Sequence, residues 1–240
     1  MPLKRCGQNL TVRYLEEPII ATQIKVCGIT RPEDAEKALA LGADYIGVIV
    51  YAKSPRSVAI EAIPDLLKVI PEGKRVLVDV STPTDQFETY RDLGFDHYQI
   101  HFDLEVSIAT VAAWTGLAGP GGLWLAPRIP PSEAYFPQVL MEFADTIVCD
   151  SYSRSAYGGT GHTGDWQRFS DWTLLYQHKN WILAGGLNPE NIREALRITG
   201  ADCVDVNSGV ETAPGIKDAD RLRRFFAEVR AHDQAREETR

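Results

Sequence analysis

The chain has 240 residues, a net charge of -8 and 44% hydrophobic residues. That acidic balance argues against general nucleic-acid binding, and no apolar run approaches the roughly 18 residues needed to cross a membrane. No secretory signal pattern opens the sequence, so a soluble cytoplasmic protein with one large core is expected.

The four cysteines, Cys6, Cys27, Cys149 and Cys203, form no C-x-x-C pair, so neither a metal site nor a disulfide framework is implied. Asn9-Leu10-Thr11 matches a glycosylation acceptor, but without an export signal it reads as chance. Residues 1–22 carry scattered charges and no period, and read as an extension that is poorly ordered or laid on the surface. From Gln23 the pattern is regular. Apolar runs of strand length occur at 23–29, 45–51, 75–81, 97–102, 123–129, 146–151, 181–187 and 203–208. Stretches with helical spacing separate them, such as Pro32 to Leu39. A last helix over 217–230 places Leu222, Phe225, Phe226 and Val229 on one stripe, and 233–240 reads as a charged tail. Eight strands alternating with eight helices predict a single (β/α)8 TIM barrel over residues 23–232.

Two stretches near the end of this domain share a design. Trp181-Ile182-Leu183-Ala184-Gly185-Gly186-Leu187-Asn188-Pro189 is a buried strand, then two glycines, then an N-cap residue and a proline suited to the first helical position. Cys203-Val204-Asp205-Val206-Asn207-Ser208-Gly209 repeats the strand followed by small residues. Adjacent strand ends of this kind make a phosphate cradle from backbone N–H groups, or are two ordinary turns.

Chemistry on this fold sits at the carboxyl ends of the strands. Cys27, Arg56, Asp79, His101, Arg128, Asp150 and Asn207 all fall there. A thiol at Cys27 serves as base or nucleophile if its surroundings stabilise the thiolate; equally, cysteine is among the most buried residue types. Asp150 offers a carboxylate across the barrel mouth, or merely caps a loop. Together they make an acid/base pair of different chemical types. If Asp150 faces the site, Cys149 faces the helices as an inert thiol, and Cys203, at a strand start, belongs to the barrel bottom. Arg56, in Ser54-Pro55-Arg56, has the planar fork that suits a carboxylate or phosphate. Gly158-Gly159-Thr160-Gly161 reads as a mobile lid, a backbone lying close to a ligand, or a plain loop.

In order and spacing, Lys25-Val26-Cys27-Gly28-Ile29-Thr30, Ser54-Pro55-Arg56, Gln99-Ile100-His101, Gly158-Gly159-Thr160-Gly161, Gly185-Gly186-Leu187-Asn188-Pro189-Glu190-Asn191 and Asp205-Val206-Asn207-Ser208-Gly209-Val210-Glu211 resemble phosphoribosylanthranilate isomerase. The resemblance implies a cofactor-independent Amadori rearrangement of N-(5′-phosphoribosyl)anthranilate in tryptophan biosynthesis. It puts the general base on Cys27 and the general acid on Asp150. Arg56 would hold the substrate's carboxylate, and the backbone at Gly185, Gly186, Ser208 and Gly209 its phosphate. His101, Gly159, Asp205 and Asn207 complete the expected binding set. The partner expected is a small phosphorylated molecule, with no nucleic acid or membrane, and the chain is expected as a monomer or homodimer.

The sequence departs from that pattern at Leu77-Val78-Asp79, at Phe102, at Gly164-Asp165-Trp166 and at Arg128. Asp79 is the departure with a physical consequence. Pointing inward it would disfavour the Cys27 thiolate; bonded to a local partner it would not sense the thiol. Two other readings stand beside the isomerase: another phosphosugar isomerase on the same barrel, and a non-catalytic barrel.

Overall fold

The computed structural model describes residues 21–150 and 165–239. Residues 1–20 of the expected extension, and the glycine loop with Gly159 and Gly164, lie outside the described residues. Eight strands close into a barrel in chain order: β1 (Gln23–Val26), β2 (Tyr45–Ile49), β3 (Arg75–Val80), β4 (His97–Asp103), β5 (Leu123–Arg128), β6 (Thr146–Cys149), β7 (Asn180–Leu183) and β8 (Cys203–Val206). All neighbours are parallel, and β8 pairs with β1 to complete the ring, Lys25 opposite Asp205. β1 and β7 stop short of the apolar runs that announce them. Gly28, Gly185 and Gly186 have positive φ (68°, 88° and 65°) and turn the chain out of the sheet.

Seven α-helices are described: α1 (Pro32–Ala40), α2 (Ile63–Leu67), α3 (Thr84–Arg91), α4 (Ile108–Ala118), α5 (Trp166–Leu175), α6 (Ile192–Thr199) and α7 (Ala219–Glu238). The expected eight need correcting between β5 and β6, where a 3-10 turn, Gln138–Glu142, replaces the helix. Pro130, Pro131 and Pro137 crowd that connection; each removes a backbone donor and clashes with a preceding helical turn. Ser107, Asp165 and Asp218 cap α4, α5 and α7 by accepting from backbone N–H groups. Asn188 accepts from the N–H groups of Glu190 and Asn191 as an N-cap would, but it caps a turn, and regular helix begins only at Ile192. A hairpin that the apolar pattern does not announce, β9 (Glu211–Ala213) with β10 (Ile216–Lys217), stands between β8 and α7. Among the described residues, no helix is long and apolar enough to cross a membrane.

Period-two alternation divides the strand residues between two cores. Ile24, Val26, Val204 and Val206 face outward and pack with helix residues such as Ala35, Leu222 and Phe225. Cys27, Val76, Val78, Trp124, Ala126, Val148, Ile182 and Cys203 fill the barrel interior. The outer layer closes at α7. Its stripe of Leu222, Phe225, Phe226 and Val229 is buried as the spacing predicts. The helix then continues through most of the presumed tail, because Asp233 is also buried. Asp233 accepts from the Thr22 N–H (3.1 Å) and hydroxyl (2.6 Å), while Arg230 donates to the Thr22 carbonyl (2.7 Å). That clasp fixes the chain entering β1 onto the last helix. Asp233→Ala should leave the Thr22 groups buried and unpaired, at about 1–3 kcal/mol of stability. A lower urea midpoint with an unchanged slope is the expected result.

Candidate active site

At the carboxyl end of the barrel one pocket is lined by Cys27, Arg56, His101, Asp150, Gly185, Gly186, Asp205, Asn207 and Ser208. Residues singled out from the sequence are thus brought together from both ends of the barrel domain, and Lys25 and Asp205 below them meet across 180 positions. Cys27 lies one residue past β1 on its inner parity and is 5% exposed. Beneath it is Lys25, completely buried, whose ammonium donates to Asp205 at 2.7 Å. Burial pushes the Cys27 thiol above its ordinary range, opposed by the positive charges of Lys25 and Lys217. Burial also pulls the Lys25 ammonium down, but Asp205 and Cys27 outweigh it, and the group stays firmly cationic. Asp205 is raised by burial against the pull of Lys25. Its Oδ1, like Oε1 of Gln99, is buried without a hydrogen-bond partner among the described residues.

His101 is held down to about 4 by burial and by the charge of Lys25, so its imidazole is neutral at physiological pH. The Gln99 amide nitrogen, which only donates, lies 2.8 Å from Nε2, so that ring nitrogen accepts and the proton sits on Nδ1.

Arg56 is bound on one edge. Its Nε lies 3.0 Å from both Glu211 oxygens and its Nη2 lies 2.8 Å from one of them. Glu211 also accepts from Lys217 Nζ at 2.8 Å and from the Gly215 N–H at 3.2 Å. Burial would raise the Glu211 carboxyl, but Arg56 and Lys217 hold it below the usual range. Lys217 then reaches Asn207, donating to its carbonyl and side-chain oxygens at 3.2 and 2.9 Å. The hairpin is therefore the buttress of the Arg56 side of the pocket.

Next to Asn207 the loops after β7 and β8 touch. A Cβ on Gly209 would overlap the Leu187 carbonyl oxygen and crowd the Asn188 side chain. The side-chain amides of Asn188 and Asn191 occupy the Gly186 carbonyl, at 3.3 and 2.9 Å, which holds the two-glycine turn in one conformation. Ser208 opens a short 3-10 turn, Ser208–Val210.

Asp79 also borders this pocket, whereas Arg128, Cys149 and Cys203 do not line it. Asp79 shares the outward parity of Leu77 and accepts from the Thr82 hydroxyl at 2.7 Å. Burial raises its carboxyl against that bond. The local-partner reading is the one the geometry supports. Arg128 pairs with Asp103 at 2.6 Å. Cys149 and Cys203 are both pushed well above the ordinary thiol range by burial, Cys203 on the inner face at the start of β8. Among the described residues no group of three or more His, Cys, Asp or Glu is placed to hold a metal ion.

A pocket with a buried thiol, a carboxylate across the mouth, a clamped arginine and two touching glycine loops has known counterparts. The family model for N-(5′phosphoribosyl)anthranilate (PRA) isomerase matches residues 24–228. The chain belongs to this family. An N-(5′-phosphoribosyl)anthranilate isomerase from Aquifex aeolicus is 36% identical over 213 residues, covering 87% of this chain and 98% of that one. The phosphoribosyl anthranilate isomerase structure from Thermus thermophilus superposes with a TM-score of 0.73 at 28% identity, over 88% of this chain and 99% of the other. Another structure of a phosphoribosyl anthranilate isomerase, in complex with reduced 1-(o-carboxyphenylamino)-1-deoxyribulose 5-phosphate, superposes with a TM-score of 0.67 at 26% identity, over 88% and 99% of the two chains.

Three buried residues that support this family member's pocket escape a reading of strand ends. Lys25 was legible in principle, since it sits two residues before Cys27 on the same strand and so on the same face. Glu211 and Lys217 carry no such signal: Glu211 meets Arg56 across 155 positions, and the hairpin holding both is invisible in the apolar pattern. The touching loops yield a test of the cradle. Gly209→Ala should force them apart at a strain of about 1–3 kcal/mol and, if these loops hold the phosphate expected from the sequence, weaken binding of a phosphorylated product analogue measured by calorimetry. Gly116→Ala, where an added methyl meets open space, serves as the control and should bind normally.

Proposed function

We propose that this chain isomerises N-(5′-phosphoribosyl)anthranilate in tryptophan biosynthesis, the reaction of its family, with Cys27 as general base and Asp150 as general acid. The support is that the two groups, of different acid–base type, line one pocket from β1 and from the residue after β6. In this reading Asp150 gives a proton to the furanose ring oxygen, the ring opens, and the anilino nitrogen carries the resulting iminium. Cys27, as thiolate, takes the C2 proton. The enolamine then tautomerises to the aminoketose, and both protein groups return to their starting states by proton exchange. No electron leaves or enters the substrate, so the chemistry requires only positioned proton carriers.

The walls suit the substrate's parts. Arg56 has its Nε edge committed to Glu211, which leaves the edge carrying Nη1 for the substrate's aromatic carboxylate. The loops of Gly185, Gly186, Ser208 and Gly209 form the phosphate end. Between them, the unpartnered Asp205 Oδ1 and Gln99 Oε1 are acceptors suited to sugar hydroxyls. A non-catalytic barrel would have little use for two unpaired acceptors on residues that line its pocket.

Cys27→Ala and Asp150→Asn should each lower kcat by about 10²–10⁴-fold with the circular dichroism spectrum and unfolding midpoint retained. Cys27→Ser should fail similarly, because a hydroxyl is a far weaker base. Near-normal turnover in either of the first two variants would remove the assigned roles. Since burial raises the Cys27 thiol, kcat/KM should still be climbing with pH through the ordinary thiol range as thiolate forms.

Arg56→Lys keeps the charge but loses the planar fork and the two-point contact with Glu211. The expected result is a KM raised about tenfold or more with a smaller change in kcat, as for a lost charged hydrogen bond. An unchanged KM in Arg56→Ala would send the carboxylate elsewhere.

A further inference from the structure

The inner face of β1 carries two chemically active atoms two residues apart, the Lys25 ammonium and the Cys27 thiol. Alternation aims both at the barrel axis. Gly47 on β2 makes the room for them to meet: a Cβ at that position would lie 2.8 Å from Cys27 Sγ and 3.0 Å from Lys25 Nζ. Both atoms border that space, where the ammonium charge of Lys25 favours the thiolate, and Lys25 Nζ donates to Asp205, 2.7 Å away on β8.

Stability alone gives little reason for this arrangement. Placing a fully buried ion pair in a barrel costs several kcal/mol per ion in desolvation, and apolar side chains of similar volume often serve as well or better. A cation at this depth has a use if a second anion must form beside it. With the thiol protonated, Lys25 and Asp205 cancel and the cluster is neutral. Ionising Cys27 next to Asp205 without Lys25 would bring two negative charges together in a site closed to water.

We propose that Lys25 is a positioning residue for the base: its ammonium, anchored by Asp205, donates to the Cys27 sulfur and stabilises the thiolate that takes the C2 proton. This rests on the reading of Cys27 as base. The other charged groups facing the thiol do not replace Lys25. Lys217, from β10, and Arg56, from the loop after β2, both share their charge with Glu211. His101 on β4 is neutral, and Asp205 on β8 and Asp150 beyond β6 are carboxyl groups.

The test reads the thiol directly. Alkylation of Cys27 by iodoacetamide is followed by mass spectrometry of its peptide, as a function of pH, in the full-length ligand-free protein. Lys25→Met should slow alkylation at neutral pH about tenfold or more and move the profile to higher pH, as expected on losing an adjacent opposite charge. Asp205→Asn should move it the other way. A Lys25→Met/Asp205→Asn double variant leaves no unpaired charge and covers failure of the single variant to fold; it too should be slower than wild type. Folded variants whose profiles coincide with wild type would overturn the proposal, leaving Lys25 a packing residue that lowers only the unfolding midpoint. Isomerase turnover is measured separately. A wild-type protein with no turnover would sink the functional reading, whereas unshifted alkylation with normal turnover would sink only the role of Lys25.

Discussion

The Lys25–Asp205 pair is the buried contact around which the mouth of the barrel is arranged. It joins the first strand to the last at the register position that closes the ring. Because both groups face the axis, the seam of the barrel is a charged contact in an interior that also holds Val76, Val78, Ala126, Val148 and Ile182. Such a pair discriminates against a β1–β8 register shifted by one residue, which would turn Lys25 toward the helices. It also sets the electrical environment of the two groups above it. Lys25 adds to the effect of burial that holds the His101 imidazole neutral, and it opposes the effect of burial on Cys27.

A second polar network holds the loops above this pair. Glu211 receives Arg56 from one side and Lys217 from the other, and Lys217 passes the connection to Asn207. Asn207 in turn abuts Gly28, where a side chain would collide with its Oδ1 at 2.5 Å. The loops after β1, β2 and β8 are thereby locked to one hairpin, and the hairpin is locked to α1 through Asp34, which accepts from the Lys217 N–H at 3.1 Å. Loops that carry binding groups are ordinarily the more mobile parts of a fold. Here buried charge pairs restrain them, which keeps the guanidinium edge of Arg56 aimed before any ligand arrives.

The barrel was legible because its signals are local. Apolar runs of strand length, proline and glycine at their ends and the 3.6-residue stripe of α7 depend on neighbours in sequence alone. Candidate residues followed from one rule, that the last residues of each strand face the mouth, and Cys27, Arg56, His101 and Asp150 do line one pocket. The same local logic misplaced what depends on competition between signals. Three prolines left a 3-10 turn where alternation called for a helix. Asn188 and Pro189 looked like a helix start, but Asn191 turns back to the Gly186 carbonyl and delays the helix to Ile192. α7 ran past its apolar stripe because Asp233, a charged residue in sequence, is buried by Thr22 from the far end of the chain.

What the sequence determined by itself was the alternation of elements, the parity of each strand and hence which side chains share the barrel interior. Those follow from the two-residue repeat of a strand and the burial of both faces of a parallel sheet. Only the tertiary structure decided which of those side chains meet. That Asp79 turns to Thr82, that Arg56 belongs to Glu211, and that Lys25 lies under the Cys27 sulfur are outcomes of ring closure and of charges seeking partners across long stretches of chain. Buried charges take whichever opposite charge the fold brings within reach, and sequence distance does not encode that reach.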